Sequence, residues 1–476
     1  MLLQSQIRAL VLLAIASLSI AAPSRSHVEK RSFKVARVPN PTYMGRTPGA
    51  GTRALIKAHR KFQFDLPQGL LDTMMASNAG AGAGVANTPQ KAATTATEKE
   101  PAAKASGTPT ESSDESDPAS PVSSAGARSS AGAGDDNSSG GADAPWTNGT
   151  GKVTATPVMG DVEYLSPISI GGQTINMDFD SGSSDLWVFS SQLPAASIGQ
   201  HTVYDSSKSS TFAPIEGATF KIAYGDGSGA SGNVGTDTVN IGGATVTKQT
   251  VELATMVSQS FTADTGSNGL VGLAFSKLNT VKPTQQKTFF DNMIPNLSQP
   301  VFTADLRSNA VGAYEFGNID SSKYNGSLAW APIDSSSGFW QFSSTKFQVA
   351  DQAPIDAPSG KAIADTGTTL MLTSAAIVNA YYSQVTGAVN DAQVGGVTFP
   401  CNSDLPDLKV DVGGNYMAVI RGSDINFAPV DNARTTCFGG VQAIQSPLQI
   451  YGDIMFKSQF VVFNGGNSSI GMAPHQ

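Results

Sequence analysis

The sequence predicts an all-β protein with a few short helices and two similar halves related by a pseudo-twofold axis. Three observations carry this expectation. From about residue 153 apolar and polar residues alternate in short runs, such as Glu163-Tyr164-Leu165-Ser166-Pro167-Ile168-Ser169-Ile170, broken by Gly, Asn and Asp turns. Only 14% of the 476 residues are charged and 49 are glycine, a composition that suits turns better than long helices. Finally, FDSGSS at 179–184 is echoed by ADTGTT at 364–369. Each copy is followed later by an apolar-apolar-Gly triplet, Leu270-Val271-Gly272 and Ile450-Tyr451-Gly452.

Taken in order, the chain divides into five parts. Residues 1–21 read as a secretory signal, with Arg8 in the positive region, an apolar stretch at 9–20 and a small-residue cleavage site at Ser19-Ile20-Ala21. An N-terminal anchor is the alternative, but the apolar stretch is short for a bilayer. No later apolar run has membrane length, and the ending GMAPHQ lacks a lipid-anchor tail. A secreted, extracellular protein with no membrane anchor after signal removal is expected.

Residues 22–77 form a basic pro-segment in which RALIKAHRKF has helical potential and Lys30-Arg31 offers a dibasic processing site. Residues 78–152 are a low-complexity junction. Its stretch 78–145 has no aromatic residue and too little apolar surface to offset chain entropy, so disorder is expected. The mature chain is expected to start near 145–155, around Lys152. Residues 153–325 form the first lobe and 326–476 the second, where 373–385 is the best helix candidate. Asn137, Asn148, Asn296, Asn325 and Asn467 head glycosylation sequons.

Charge and cysteine usage narrow the class. The net charge of −8 disfavours nucleic acid and anionic membranes as partners. Acids outnumber bases about two to one in the body, whereas the pro-segment is basic. A cationic segment lying on an anionic body would be held at neutral pH and loosened as carboxylates protonate. Cys401 and Cys437, the two cysteines, are expected to pair in an oxidising compartment; two free buried thiols are the alternative.

The repeated turns permit a particular chemistry. One buried carboxylate is usually a structural acceptor. Two, Asp180 and Asp365, on matching turns of a duplicated fold would share one proton if brought within hydrogen-bond distance. Such a pair can activate a water, protonate an amide carbonyl and then the leaving nitrogen, with no metal, cofactor or covalent intermediate. Gly182 and Gly367 would let the chain turn tightly. Ser181 and Thr366 could bond across the axis, and Ser183 and Thr368 could hold the outer carboxylate oxygens.

These residues bring out a resemblance. Through nearly all of 153–476 the chain resembles pepsin-like aspartic endopeptidases, most of all the secreted fungal endothiapepsin/penicillopepsin-type group. The matching motifs include FDSGSSDLWVFSS, YGDGSGASGNVGTDTV, LVGLAFS, IADTGTTL and FVVFNG. The resemblance implies the all-β, bilobal pepsin-like acid protease fold with two pseudo-twofold related β-barrel-like lobes, extended polypeptide substrates, inhibition by pepstatin-like peptides and a monomeric zymogen. It implies that Tyr224, Gly225 and Asp226 belong to a flap over the cleft, with Trp187, Phe261 and Leu270 at the primary specificity pocket. An acid at Asp226 implies acceptance of Lys, besides bulky apolar residues, beside the scissile bond. Lys57 and Lys61 are candidates for a pro-segment lysine that pairs with the aspartates. Ser181 departs from the usual Thr but keeps the hydroxyl, and Asn268 stands where an Asp is common.

Other hydrolytic classes are poorly served. His201, the one internal histidine of the body, reads as a surface residue in a polar turn, and there is no HExxH pair. Two rival readings stay open: an inactive relative that only binds, and a surface tether built on the Ser/Thr-rich stretch.

Overall fold

A computed structural model describes residues 45–81, 149–223 and 229–476. The expected signal at 1–21, residues 22–44, residues 82–148 and the expected flap residues Tyr224, Gly225 and Asp226 lie outside the described residues.

The body is built of strands, and the two halves share a floor. One antiparallel sheet runs in the order Gly151–Val158, Ala310–Phe316, Val301–Arg307, Gln459–Asn464, Ser469–Pro474, Ala329–Asp334. Three strands from each side of the expected 325/326 boundary make it up, and they meet where Val301–Arg307 pairs with Gln459–Asn464. The first strand begins two residues ahead of the expected lobe start, with Gly151 opposite Phe316 and the Lys152 N–H donating to Gly242 O at 3.0 Å. Lys152 therefore lies inside a paired strand.

On this floor each half carries the same strand arrangement. Gln173–Asp180 runs parallel to Gly269–Gly272, with Phe179 opposite Val271; Leu186–Phe189 runs antiparallel to the same strand, with Leu186 opposite Val271. In the second half Lys361–Ala364 runs parallel to Gln449–Tyr451, with Ala364 opposite Tyr451; Met371–Thr373 runs antiparallel, with Met371 opposite Tyr451. The two apolar-apolar-Gly triplets are therefore the central strands that each Asp-bearing loop straddles. Phe179, Val271, Ala364 and Tyr451 are fully buried. Burying a side chain such as Phe or Val contributes about 1.5–3 kcal/mol, and a one-residue slip would turn these residues to the wrong face. The registers that aim the two loops are fixed by this packing.

Two helices precede the body. Ala50–Lys61 is rich in strong helix formers and buries Ala50, Ala54, Leu55 and Ala58 along one stripe. His59, Arg60 and Lys61 sit in its last turn, where the helix dipole favours cations. It packs so closely on Phe438 that a Cβ at Gly51 would strike that ring. The second helix, Gln68–Ala81, runs four residues past the expected end of the pro-segment at 77.

The remaining expectations fall as follows. The helix at 373–385 is Ala375–Tyr382. Cys401 and Cys437 form a disulfide. His201 is a correction: it is buried, its ring stacks on Phe189 at 3.9 Å, and its Nδ1 lies 2.9 Å from Ser267 O. A polar neighbourhood in sequence did not reveal the aromatic partner that covers it. Among the described residues no helix is long and apolar enough to cross a membrane.

Candidate active site

The two Asp loops meet at the axis between the halves. Asp180 ends its strand and Asp365 follows Ala364; they are 2% and 0% exposed. The Gly182 N–H donates to Asp180 Oδ1 at 2.8 Å, and the Gly367 N–H to Asp365 Oδ1 at 3.1 Å. On the outer side Ser183 Oγ donates to Asp180 Oδ2 at 2.7 Å, and Thr368 Oγ1 donates to Asp365 Oδ2.

A crossed set of bonds locks the loops together. The Ser181 N–H donates to Thr366 Oγ1 at 3.0 Å, and the Thr366 N–H donates to Ser181 Oγ at 3.0 Å. Each hydroxyl then donates to the strand of the opposite half: Ser181 Oγ to Ala364 O at 2.9 Å, Thr366 Oγ1 to Phe179 O at 2.6 Å. Serine at 181 makes every bond that its hydroxyl is needed for.

The loop glycines are required for a reason other than turn geometry. Neither has a positive φ. A Cβ on Gly182 would collide with the Asp365 carboxylate, and one on Gly367 with that of Asp180. Each glycine is the gap through which the opposite carboxylate reaches the axis.

Lys61 fills the remaining space between the aspartates. Its Nζ donates to Asp180 Oδ1 at 2.7 Å and to Asp365 Oδ1 and Oδ2 at 2.8 Å. Burial disfavours the ammonium, but the two carboxylates outweigh it and raise the Lys61 pKa. Burial pushes Asp365 up to about 6, whereas Asp180 is lowered because the Lys61 charge and hydrogen bonds outweigh the same burial.

Lys57, one helical turn earlier, goes elsewhere. Its Nζ lies 3.1 Å from Glu163 Oε2, 3.8 Å from Asp178 Oδ2 and 3.9 Å from Asp264 Oδ2. Lys57 is 44% exposed against 11% for Lys61, so its hold is the more screened of the two. The acid cluster was not singled out from the sequence. Asp178 had a usable signal, since residues i and i+2 of a strand share a face and Asp180 is two residues on.

Beside the helix lies a cavity of about 390 Å³, walled by Trp187, Phe261 and Leu270 on one side and by Glu163, Asp178 and Asp264 on the other. Trp187 and Phe261 pack edge to face at 4.9 Å. The Trp187 indole N–H has no hydrogen-bond partner among the described residues. Asn268 is a structural amide: it accepts from the Thr202 N–H at 2.7 Å and donates to Asn176 O at 3.2 Å.

A second buried acid pair supports the first loop from behind. Asp185 Oδ1 accepts from the Thr280 N–H at 2.8 Å and from Asn279 Nδ2 at 2.9 Å. Asn279 Nδ2 also donates to Glu252 Oε1 at 3.0 Å, so one amide bridges the two acids. Burial and the neighbouring Asp185 raise Glu252 well above an ordinary carboxyl.

Comparison with known proteins gives this geometry its family. Residues 163–475 match the family model of eukaryotic aspartyl proteases. An aspergillopepsin A-like aspartic endopeptidase of Aspergillus fumigatus is 53% identical over 68% of this chain and 77% of its own. Endothiapepsin of Cryphonectria parasitica is 49% identical, covering 67% and 77%, and penicillopepsin-3 of Penicillium janthinellum 48%, covering 68% and 82%. With a family match over most of the chain and paired Asp loops at its axis, this protein belongs to the eukaryotic aspartyl proteases and is a pepsin-like aspartic endopeptidase of the fungal type.

Proposed function

We propose that this endopeptidase is made as an autoinhibited, secreted zymogen that cleaves internal peptide bonds of proteins in acid. The observation that carries the reading is the single Lys61 ammonium bound to both Asp180 and Asp365. An ammonium bound to both aspartates occupies the space a catalytic water needs.

Once the helix leaves, the two carboxyls hold one proton between them. One carboxylate takes a proton from the bound water as its oxygen attacks the peptide carbonyl carbon. The other carboxyl gives its proton to the carbonyl oxygen. A proton then passes to the peptide nitrogen, the C–N bond breaks, and an amine and a carboxylic acid leave. Asp365 is assigned as the base and Asp180 as the first acid. The opposite order of the Lys61-bridged state is set by the ammonium and is lost with it; the shared proton belongs to the pair.

Release in acid follows from the same contacts. Lys61 holds the Asp180 pKa down, so the helix is bound most tightly while that carboxylate is ionised. As pH falls the carboxylates take protons and the ammonium loses its partners. Extended polypeptides would bind in strand-like form along the cleft, beneath the flap carrying Tyr224, Gly225 and Asp226. Bulky apolar residues, and Lys through Asp226, would be accepted beside the scissile bond. The mature enzyme is read as a soluble extracellular monomer without an anchor.

Haemoglobin digestion by the secreted protein, followed from strongly acid to neutral pH with and without pepstatin, tests this. Acid activity abolished by pepstatin is expected, together with a mature N-terminus upstream of Gly151. Absence of activity in processed, folded protein would favour an inactive binding protein.

A further inference from the structure

From the seat of Lys57 we infer that Glu163, Asp178 and Asp264 form a subsite for a cationic substrate side chain. That side chain belongs to the residue two positions from the apolar residue packed on Trp187, Phe261 and Leu270. The inference rests on the proposed proteolytic function and names a substrate class for it.

Three observations carry it. First, a lysine ammonium already sits among the three carboxylates, and it belongs to the same helix that fills the rest of the cleft. When that helix leaves, the acids lose their cation. Secondly, Glu163 and Asp178 are 4% and 7% exposed, and Glu163 Oε1 has no hydrogen-bond partner among the described residues. A buried carboxylate oxygen without a partner is costly, and a second N–H of an ammonium or guanidinium would satisfy it. Thirdly, the acids and the apolar wall share one cavity, and Asp178 is the direct strand partner of Leu270.

The spacing fixes the position. Lys57 and Lys61 are four residues apart on a helix, a rise of about 6 Å. An extended chain covers about the same distance in two residues, and those two side chains point the same way. A peptide with its reacting bond at the aspartates and its apolar side chain on Trp187 therefore offers the second-next side chain to the acids.

The preference should depend on pH. Burial pushes Glu163 up to about 8 and Asp178 up to about 6, so both are neutral in strong acid. The groups facing them are Asp264, Lys57, Asp180 and Lys61, with Arg53 and Arg60 lining the same cavity. All four cations belong to the departing segment. Selectivity for a cation should rise as the assay moves from strongly toward weakly acid pH.

The test uses the processed enzyme and a series of peptides sharing one apolar anchor, with lysine or norleucine placed in turn at each other position. At weakly acid pH, lysine two residues from the anchor is expected to raise kcat/KM about tenfold over norleucine, in line with a charge-assisted hydrogen bond. Lysine elsewhere in the series should give no such gain. Glu163→Gln combined with Asp264→Asn should bring the ratio close to one. Equal rates for both peptides at that position and weakly acid pH, from enzyme that cleaves the norleucine series, would overturn the subsite. Cleavage of neither series would instead overturn the proteolytic reading. The wild-type scan decides the matter even if the double variant does not fold.

Discussion

At the scale of single residues, Gly182 and Gly367 carry a constraint that the sequence disguises. A Asp-Ser-Gly or Asp-Thr-Gly triplet reads as a turn that wants glycine for its backbone. In the fold neither glycine adopts a positive φ, and each leaves room for the carboxylate of the other half. That contact joins loops far apart in sequence, so no local pattern reveals it. Gly182→Ala is expected to lower kcat by at least about tenfold through displacement of Asp365, a loss of roughly 1.4 kcal/mol in transition-state stabilisation. Steady-state kinetics with circular dichroism of the folded variant measures this; wild-type kcat would show that the axis tolerates a methyl group. Ser181, Ser183, Thr366 and Thr368 were more legible, because hydroxyls at matching places in two copies have few roles besides holding matching groups.

Glu252 and Asp185 also belong to this scale, and both were missed. Neither lies in a repeated motif, and their pairing spans two strands and the Asn279 loop. Burial raises the Glu252 pKa well above the unfolded carboxyl value of about 4.3. A folded state that holds the proton more tightly gains stability below the unfolded pKa and loses it as pH rises through the folded pKa. Glu252→Gln keeps a hydrogen-bonding group that cannot ionise. Its melting temperature is expected to fall less than that of the wild type as pH is raised from acid through neutral. Parallel curves for the two proteins would remove the pair from the pH response.

At the scale of elements, the helix Ala50–Lys61 decides which lysine meets the aspartates. The sequence narrowed the choice to Lys57 and Lys61 and could go no further, since residues four apart share a helix face. The choice is made by how the helix seats on distant strands: Gly49 N–H on Pro429 O at 3.0 Å, and Gly51 against Phe438. Arg46, just ahead of the helix, adds a bond from Nε to Gly160 O at 2.7 Å and stands over the Phe427 ring. Lys61→Met is expected to let activity appear at higher pH in the freshly acidified full-length chain, because the contact that holds Asp180 ionised is gone. Lys57→Met should shift the onset less, its ammonium being the more exposed. Fluorogenic-peptide turnover during a stepwise pH drop reads both, and an unchanged onset for Lys61→Met would separate that contact from inhibition.

At the scale of the whole molecule, two similar halves stand on one sheet that neither completes alone. The repeat of FDSGSS and ADTGTT, with the triplets Leu270-Val271-Gly272 and Ile450-Tyr451-Gly452, disclosed the duplicated architecture because each motif is local. The joining of the halves in the floor sheet was not legible, since the pairing that makes it sets residues such as Phe302 and Phe463 side by side, which no short window contains. Nor was burial of His201, which rests on stacking against Phe189. The symmetry has one chemical product, two carboxylates held at the axis by mirrored bonds. The most direct test compares protein hydrolysis in acid by processed wild-type enzyme and by Asp180→Asn, with circular dichroism of both. A folded variant with activity reduced by about 10²–10⁴-fold or more is predicted, as for loss of an essential acid–base partner. Wild-type turnover by the folded variant would contradict the two-aspartate mechanism.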